Sequence, residues 1–390
     1  MKEIVSQESS KLSKMWRKIK NIENSLFPEL REQLGMLSSK EEKLIRILDF
    51  AQIENSVTTV KVTNPPKDRE EIARAFIAKS VYNLQTTRDL IDRLKIDRVL
   101  RVLCGWRYAK DIPSESKFSR VFHELSRQHI AQKSHEQFIR NYLSDTLFMY
   151  NASDATAIKM REKPIKKEKT PTKVKRKRGR PKKGEKAIAK KPTILQQQKE
   201  MTSVQKMLSL LPVACDVGVK KNAKGYKETW IGGKLHMSVV DGDIPITAIF
   251  TGASVHDSSV ALPLIKKSSQ RVNYLYDLMD AGYDAETIRE YSRLYGHRPI
   301  IDINPKNSKQ RKAHIALTKE EQKKFTLLHL PYSSDTHHYN QRSIVERVNA
   351  YLKDNFGCSK IYYRGAVKVA SVLNFAILSI CIHQALKLVT

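Results

Sequence analysis

The feature that most constrains this chain is a run of charge that cannot fold. From Lys159 to Lys191 the sequence holds seventeen Lys or Arg residues against Glu162, Glu168 and Glu185. Like-charge repulsion keeps such a segment open, so whatever folds must do so around it. The layout that follows is a helical N-terminal domain over residues 1–140 and an α/β domain over 141–390, the latter interrupted by a basic, disordered tether at 159–205. At 390 residues there is room for two or three cores. The whole chain carries 71 Lys plus Arg against 41 Asp plus Glu, a formal charge of +30, so a polyanion, nucleic acid first, is the expected partner.

Other classes are disfavoured. The N-terminus opens Met-Lys-Glu-Ile-Val-Ser-Gln-Glu, with charged and polar residues where a signal peptide needs an apolar core. The most apolar stretch, Val369 to Ile382, is shorter than the ~20 residues of a membrane span and contains Asn374; it reads as a buried terminal helix. Cys104, Cys215, Cys358 and Cys381 lie far apart with no paired spacing, which argues against a zinc site or a disulfide framework and suits a reducing cytoplasm.

In the first part of the chain, Ile72, Phe76, Ile77, Val81 and Leu84 form one amphipathic pattern, which Leu90, Ile91 and Leu94 continue. Pro113 and Ser114 then open a helix with Phe118, Phe122 and Leu125 on one side. Residues 146–156 read as a strand ending in Asp154. A second apolar strand, Val272 to Met279, runs into Asp280-Ala-Gly282-Tyr283, where Gly282 allows a sharp turn. Asp277, three residues earlier, points to the opposite face. Between the two lie a strand from Trp230 to Val240, a hairpin turn at Asp241-Gly242-Asp243 and a return strand from Ile244 to Phe250. Asp257, just ahead of Val260-Ala-Leu262, reads as a helix cap in preference to a metal ligand. Residues 299–303 form one more strand.

Near the C-terminus, Tyr339-Asn-Gln-Arg342-Ser-Ile-Val-Glu346-Arg-Val-Asn-Ala-Tyr-Leu-Lys353 has a further pattern. At about 100° per residue, Tyr339, Arg342, Glu346 and Lys353 fall at roughly 0°, 300°, 340° and 320°, with Ile344, Val345, Val348, Tyr351 and Leu352 on the opposite side. A carboxylate flanked by two cations and a phenol suits a metal-bound phosphodiester. Ser343-Ile-Val-Glu346 equally spells a capping box, in which Glu346 serves only the helix start.

The Tyr-x2-Arg-x3-Glu-x6-Lys spacing resembles the signature around the catalytic Glu of DDE transposases from bacterial insertion sequences. Asp-Ala-Thr at Asp154 resembles that family's first catalytic Asp, and Asp-x-Gly-Tyr at Asp280 its second, which selects Asp280 over Asp277. Pro113-Ser-x-x-x-Phe-Ser-Arg is similar to the family's N-terminal helical domain. The order of elements matches an RNase H-like α/β fold, a mixed sheet flanked by helices and preceded by an all-α domain.

The resemblance implies Asp154, Asp280 and Glu346 as ligands of two Mg²⁺ or Mn²⁺ ions, with Arg342 and Lys353 on phosphates and Tyr339 at the cut nucleotide. It further implies cleavage at transposon inverted-repeat ends, strand transfer into target double-stranded DNA, and a homodimer in the synaptic complex. Within the tether, Lys175-Arg-Lys-Arg178-Gly179-Arg180-Pro181 resembles an AT-hook, in which Arg178 and Arg180 splay along an A·T minor groove, Gly179 permits close approach and Pro181 keeps the chain extended. A tether that touches phosphates without regard to sequence explains the same residues. Two other functions stay open: a non-catalytic DNA-binding protein derived from a transposase, and an RNase H-like metal nuclease without strand transfer.

Overall fold

The computed structural model describes Lys11, Met15 and residues 36–57, 67–165, 192–221, 225–305, 308–327 and 334–389. The AT-hook-like residues Arg178, Gly179, Arg180 and Pro181 lie outside the described residues, as does the rest of 166–191.

Among the described residues, the helices ahead of the sheet include α1 (Ser39–Ala51), α2 (Arg69–Val81), α3 (Thr87–Ile96), α4 (Arg98–Cys104), α5 (Glu115–Arg127) and α6 (Ile130–Tyr142). Local chemistry sets their starts. Ser38 with Glu41, and Thr86 with Asp89, close capping boxes on α1 and α3, and the Ser114 hydroxyl accepts from the Lys117 amide at the start of α5. Phe118, Phe122 and Leu125 are buried along one side of α5, as their spacing predicts.

These helices do not close a core of their own. The C-terminal helix α14 (Ala366–Lys387) packs against α1, α2, α5 and α6 as well as the sheet. Its Phe375 ring lies 5.7 Å from Phe76, which stacks on Phe122 at 4.1 Å. One buried cluster therefore runs from Met15 to Leu386. Near residue 140 the chain passes from helices to strands, and the same buried cluster continues across that point. By length and composition the 22-residue α14 could cross a membrane, but most of its apolar side chains are buried inside this fold. All four cysteines are free and buried.

Among the described residues the sheet has seven strands: β1 (Leu147–Met160), β2 (Asp216–Lys221), β3 (Lys227–Val240), β4 (Ile244–Gly252), β5 (Asn273–Met279), β6 (Arg298–Ile301) and β7 (Lys360–Ile361). Its order is β2-β3-β1-β5-β6, with β4 on β3 and β7 on β1. β1 is antiparallel to β3 and parallel to β5, and β5 is parallel to β6. The hairpin between β3 and β4 turns through Gly242 and Asp243, both at positive φ, 76° and 59°, the geometry that matches strand twist. Helix α9 (Ser258–Ser269) links β4 to β5, α10 (Glu286–Leu294) links β5 to β6, and α13 (Ser343–Asn355) returns against β1 and β3. The sheet is thus a mixed one flanked by helices on both faces, consistent with the RNase H-like arrangement.

Two boundaries differ from expectation. β1 does not end at Asp154 but runs on to Met160, because residues 155–159 keep pairing with residues 232–236 of β3. The far end of the expected tether is folded: α7 (Ile194–Lys199) and α8 (Val204–Ser209) pack on α9, and the buried Gln198 amide donates to the Ser259 carbonyl at 3.0 Å.

Candidate active site

Register builds the site. Asn151 of β1 lies beside Asp277 of β5, so Asp154 and Asp280, each three residues further on, emerge together at the same end of the parallel pair. Asp280 sits just past β5, where its Oδ1 accepts the Gly282 amide at 2.9 Å. Gly282 is not at positive φ; it is needed for a different reason from the turn expected. A Cβ there would stand 2.9 Å from the same Oδ1, so a side chain at 282 would press on the carboxylate and shift it.

Burial and mutual repulsion govern the charges. The Asp154 carboxyl is pushed up to about 6, chiefly by burial, with the Ala155 amide opposing and the Asp280 and Asp257 charges adding to the rise. Asp280 is raised by burial too, with Asp257 and Asp302 adding to the effect while the Gly282 amide and Arg342 oppose it. Such a set of like charges calls for a cation.

Arg342 supplies part of it. Its guanidinium is in the field of Asp154 and Asp280 and donates to Glu346 Oε1 at 2.6 Å. Its Cζ stands 5.8 Å from the Tyr339 ring centre. Tyr339 closes α12 (Ser334–Asn340), and its phenol lies within the fields of Asp302 and Asp280. Lys353, on the other side, donates to Thr156 Oγ1 at 2.5 Å and feels the Asp154 charge. Tyr339, Arg342 and Lys353 thus lie within the field of one or both aspartates, while Glu346 reaches them only through Arg342, and a turn at Gln341 and Arg342 separates α12 from α13. The capping-box alternative does not form: α13 has no side-chain cap, and Ser343 Oγ accepts from Arg347 instead.

Asp154 and Asp280 are brought together; Glu346 is joined to them through Arg342. Its side chain is 54% exposed. Among the described residues no group of three His, Cys, Asp or Glu is gathered closely enough to hold a metal ion. The donors themselves are hard carboxylate oxygens left short of positive charge, ligands of the kind that Mg²⁺ or Mn²⁺ takes. Asn349 adds to this: its Nδ2 donates to Asp154 Oδ2 at 3.2 Å, while its Oδ1 is buried without a partner.

Two contributors, Asn349 and Asp302, escaped the sequence reading, and a third, Asp257, was read there as a helix cap. Asn349 lies at roughly 280° on the wheel that singled out Arg342 and Glu346, so the same arc contains it. Asp302 follows β6 as Asp280 follows β5, and its charge reaches Asp280 and Tyr339. Asp257 does not cap α9, for its side chain makes no cap hydrogen bond. It pairs with Lys234 at 2.9 Å instead, its charge raising both Asp154 and Asp280. Beside it, burial lowers His236 to about 4 and keeps the ring neutral. Asp277, by contrast, is wholly buried and bonded to Asn151 at 3.0 Å and Ser292 at 2.5 Å, which makes it structural.

The family model of the transposase DDE domain matches residues 153–382, a span that includes Asp154, Asp280 and Glu346. A second model, a transposase domain (DUF772), matches residues 29–124, the helical part that packs around α14. No curated protein matches the chain. With the first match covering more than half of its length, and the second falling on its helical part, the chain belongs to the DDE transposases of insertion sequences.

Proposed function

We propose that the protein cleaves DNA at the inverted-repeat ends of its insertion sequence and transfers the freed 3′ ends into target DNA, with Asp154, Asp280 and Glu346 holding the divalent ions. The observation that carries the reading is the pair of Asp154 and Asp280, short of positive charge, delivered to one spot by neighbouring parallel strands and faced by Arg342, which holds Glu346. Two ions bound there would activate a water or a 3′-hydroxyl and stabilise the leaving oxygen of an in-line displacement. Asn349 orients the Asp154 carboxylate, Gly282 that of Asp280. Arg342 and Lys353 offer donors to phosphate oxygens on either side, and Tyr339 stands where an end nucleotide can stack or accept a hydroxyl bond. Completion of the ligand set requires Glu346 to exchange its bond to Arg342 for the ions, an exchange favoured when a DNA phosphate takes over the guanidinium.

One observation favours the non-catalytic reading: Glu346 stands paired to Arg342, and no three-ligand group is assembled among the described residues. The test is incubation of the purified protein with a duplex carrying the terminal inverted repeat and Mn²⁺. Cleavage and joined products, both lost in Asp154→Asn and in Glu346→Gln, are expected. Binding without cleavage selects the non-catalytic reading, and cleavage without joining selects a nuclease.

A further inference from the structure

Helix α11 (Lys309–Leu327), between β6 and α12, has no buried residue. It carries six Lys or Arg against Glu320 and Glu321. At 1.5 Å per residue its 19 residues extend about 28 Å. Taking Lys309 as 0°, Lys312, Lys319 and Lys323 fall at roughly 300°, 280° and 320°, so four ammonium groups form a stripe along one side. All four side chains are exposed, and none is in an ion pair among the described residues. Half-buried Ile315, Thr318, Gln322 and Phe325 occupy a different side. A row of unpaired lysines along an exposed rod is a concentration of positive charge that water alone must solvate, and a polyanion of regular spacing relieves it.

The base of the rod is fixed to the carboxylate site. Arg311 Nη1 donates to Asp284 Oδ2 at 2.7 Å and to the Asn304 carbonyl at 3.0 Å. Asp284 also accepts from Arg289 at 2.9 Å, and Asn304 Nδ2 bonds the Ala281 carbonyl at 3.1 Å, directly after Asp280. The stripe therefore starts beside the Asp280 loop and leads away from it.

We propose that the lysine stripe of α11 is a track for the phosphate backbone of duplex DNA, carrying the flank of the duplex outward from the carboxylate site. The inference rests on the reading that DNA is the substrate, and it places part of the binding energy on a folded element in addition to the basic tether. The lysines meet phosphates, so their effect is indifferent to sequence and strongly salt-dependent.

The experiment measures binding of the full-length protein to a fluorescent 30-base-pair duplex of arbitrary sequence, in EDTA, over a range of salt concentrations. Replacing Lys309, Lys312, Lys319 and Lys323 together by Gln is expected to reduce the slope of log K against log salt by about 3 to 4, at about 0.9 for each phosphate that is no longer neutralised. Replacing the same four by Arg is expected to retain the wild-type slope. An unchanged slope in the Gln variant overturns the proposal. So does an equal loss in both variants, which would mark a structural role, or an unchanged slope with altered sedimentation, which would mark an interface between copies. Chemistry plays no part in EDTA, so a wild-type protein that binds but never cleaves would defeat the proposed function and leave the stripe standing.

Discussion

Two places on the same pair of strands, three residues apart, put aspartates to opposite uses. At Asn151 and Asp277 the sheet buries a carboxylate completely and answers each of its oxygens, Oδ1 by the Asn151 amide and Oδ2 by the Ser292 hydroxyl. At Asp154 and Asp280 the carboxylates face other carboxylates, with Asn349, the Gly282 amide and Arg342 as partial compensation. Burial raises the proton affinity in both places. The first place is closed by its partners and belongs to the fold; the second is left short of positive charge and can take a cation and a phosphate. A carboxylate that looks expensive to the fold is a better guide to function than one that is merely conspicuous in the sequence.

The comparison breaks most sharply under substitution. Asp154→Asn should lower cleavage by more than about 100-fold, beyond the range seen for residues that merely orient a metal ligand, while thermal melting in EDTA shows a protein no less stable than the wild type. Asp277→Ala should do the reverse to stability: two buried donors lose their acceptor, a loss of about 2 kcal/mol or more in denaturant titrations. If both variants lose stability alike, the two places are not distinct. Asn349→Ala, which removes only the support of Asp154, should reduce cleavage by about 10- to 100-fold, with rescue by raised Mn²⁺.

Much of this arrangement was legible in the chain. The strands that lead to Asp154 and Asp280 and the hairpin at Gly242 follow from local chemistry, and the structure places them as expected. What was not legible depended on long-range packing. That α14 would thread the N-terminal helices is set by Phe76, Phe122 and Phe375 meeting across some 300 residues, and no local signal announces it. The length of β1 beyond Asp154 depended on a partner strand 80 residues away. Asp257 resembled a cap because sequence shows the helix that follows and not the Lys234 ammonium on β3 that claims its carboxylate.

The smallest effect concerns a fourth carboxylate, which calibrates the other three. Glu136 on α6 is raised by burial, yet Arg271 and Lys267 outweigh that and hold it down to about 2. Its contribution to stability is present above the ordinary range near 4.5 and is lost as pH falls from there toward about 2. Glu136→Gln should therefore flatten the fall of melting temperature within that acid window and leave cleavage at neutral pH unchanged.

The central claim is that Asp154 and Asp280 form a place for divalent cations. Titration of Mn²⁺ into the purified protein, followed by calorimetry or by the loss of the free-ion paramagnetic resonance, addresses it without DNA or turnover. The account predicts saturable binding in the wild type that is strongly weakened in Asp154→Asn and untouched in Glu136→Gln, whose carboxylate on α6 is paired with Arg271 away from the site. Equal Mn²⁺ binding by the wild type and Asp154→Asn would contradict it.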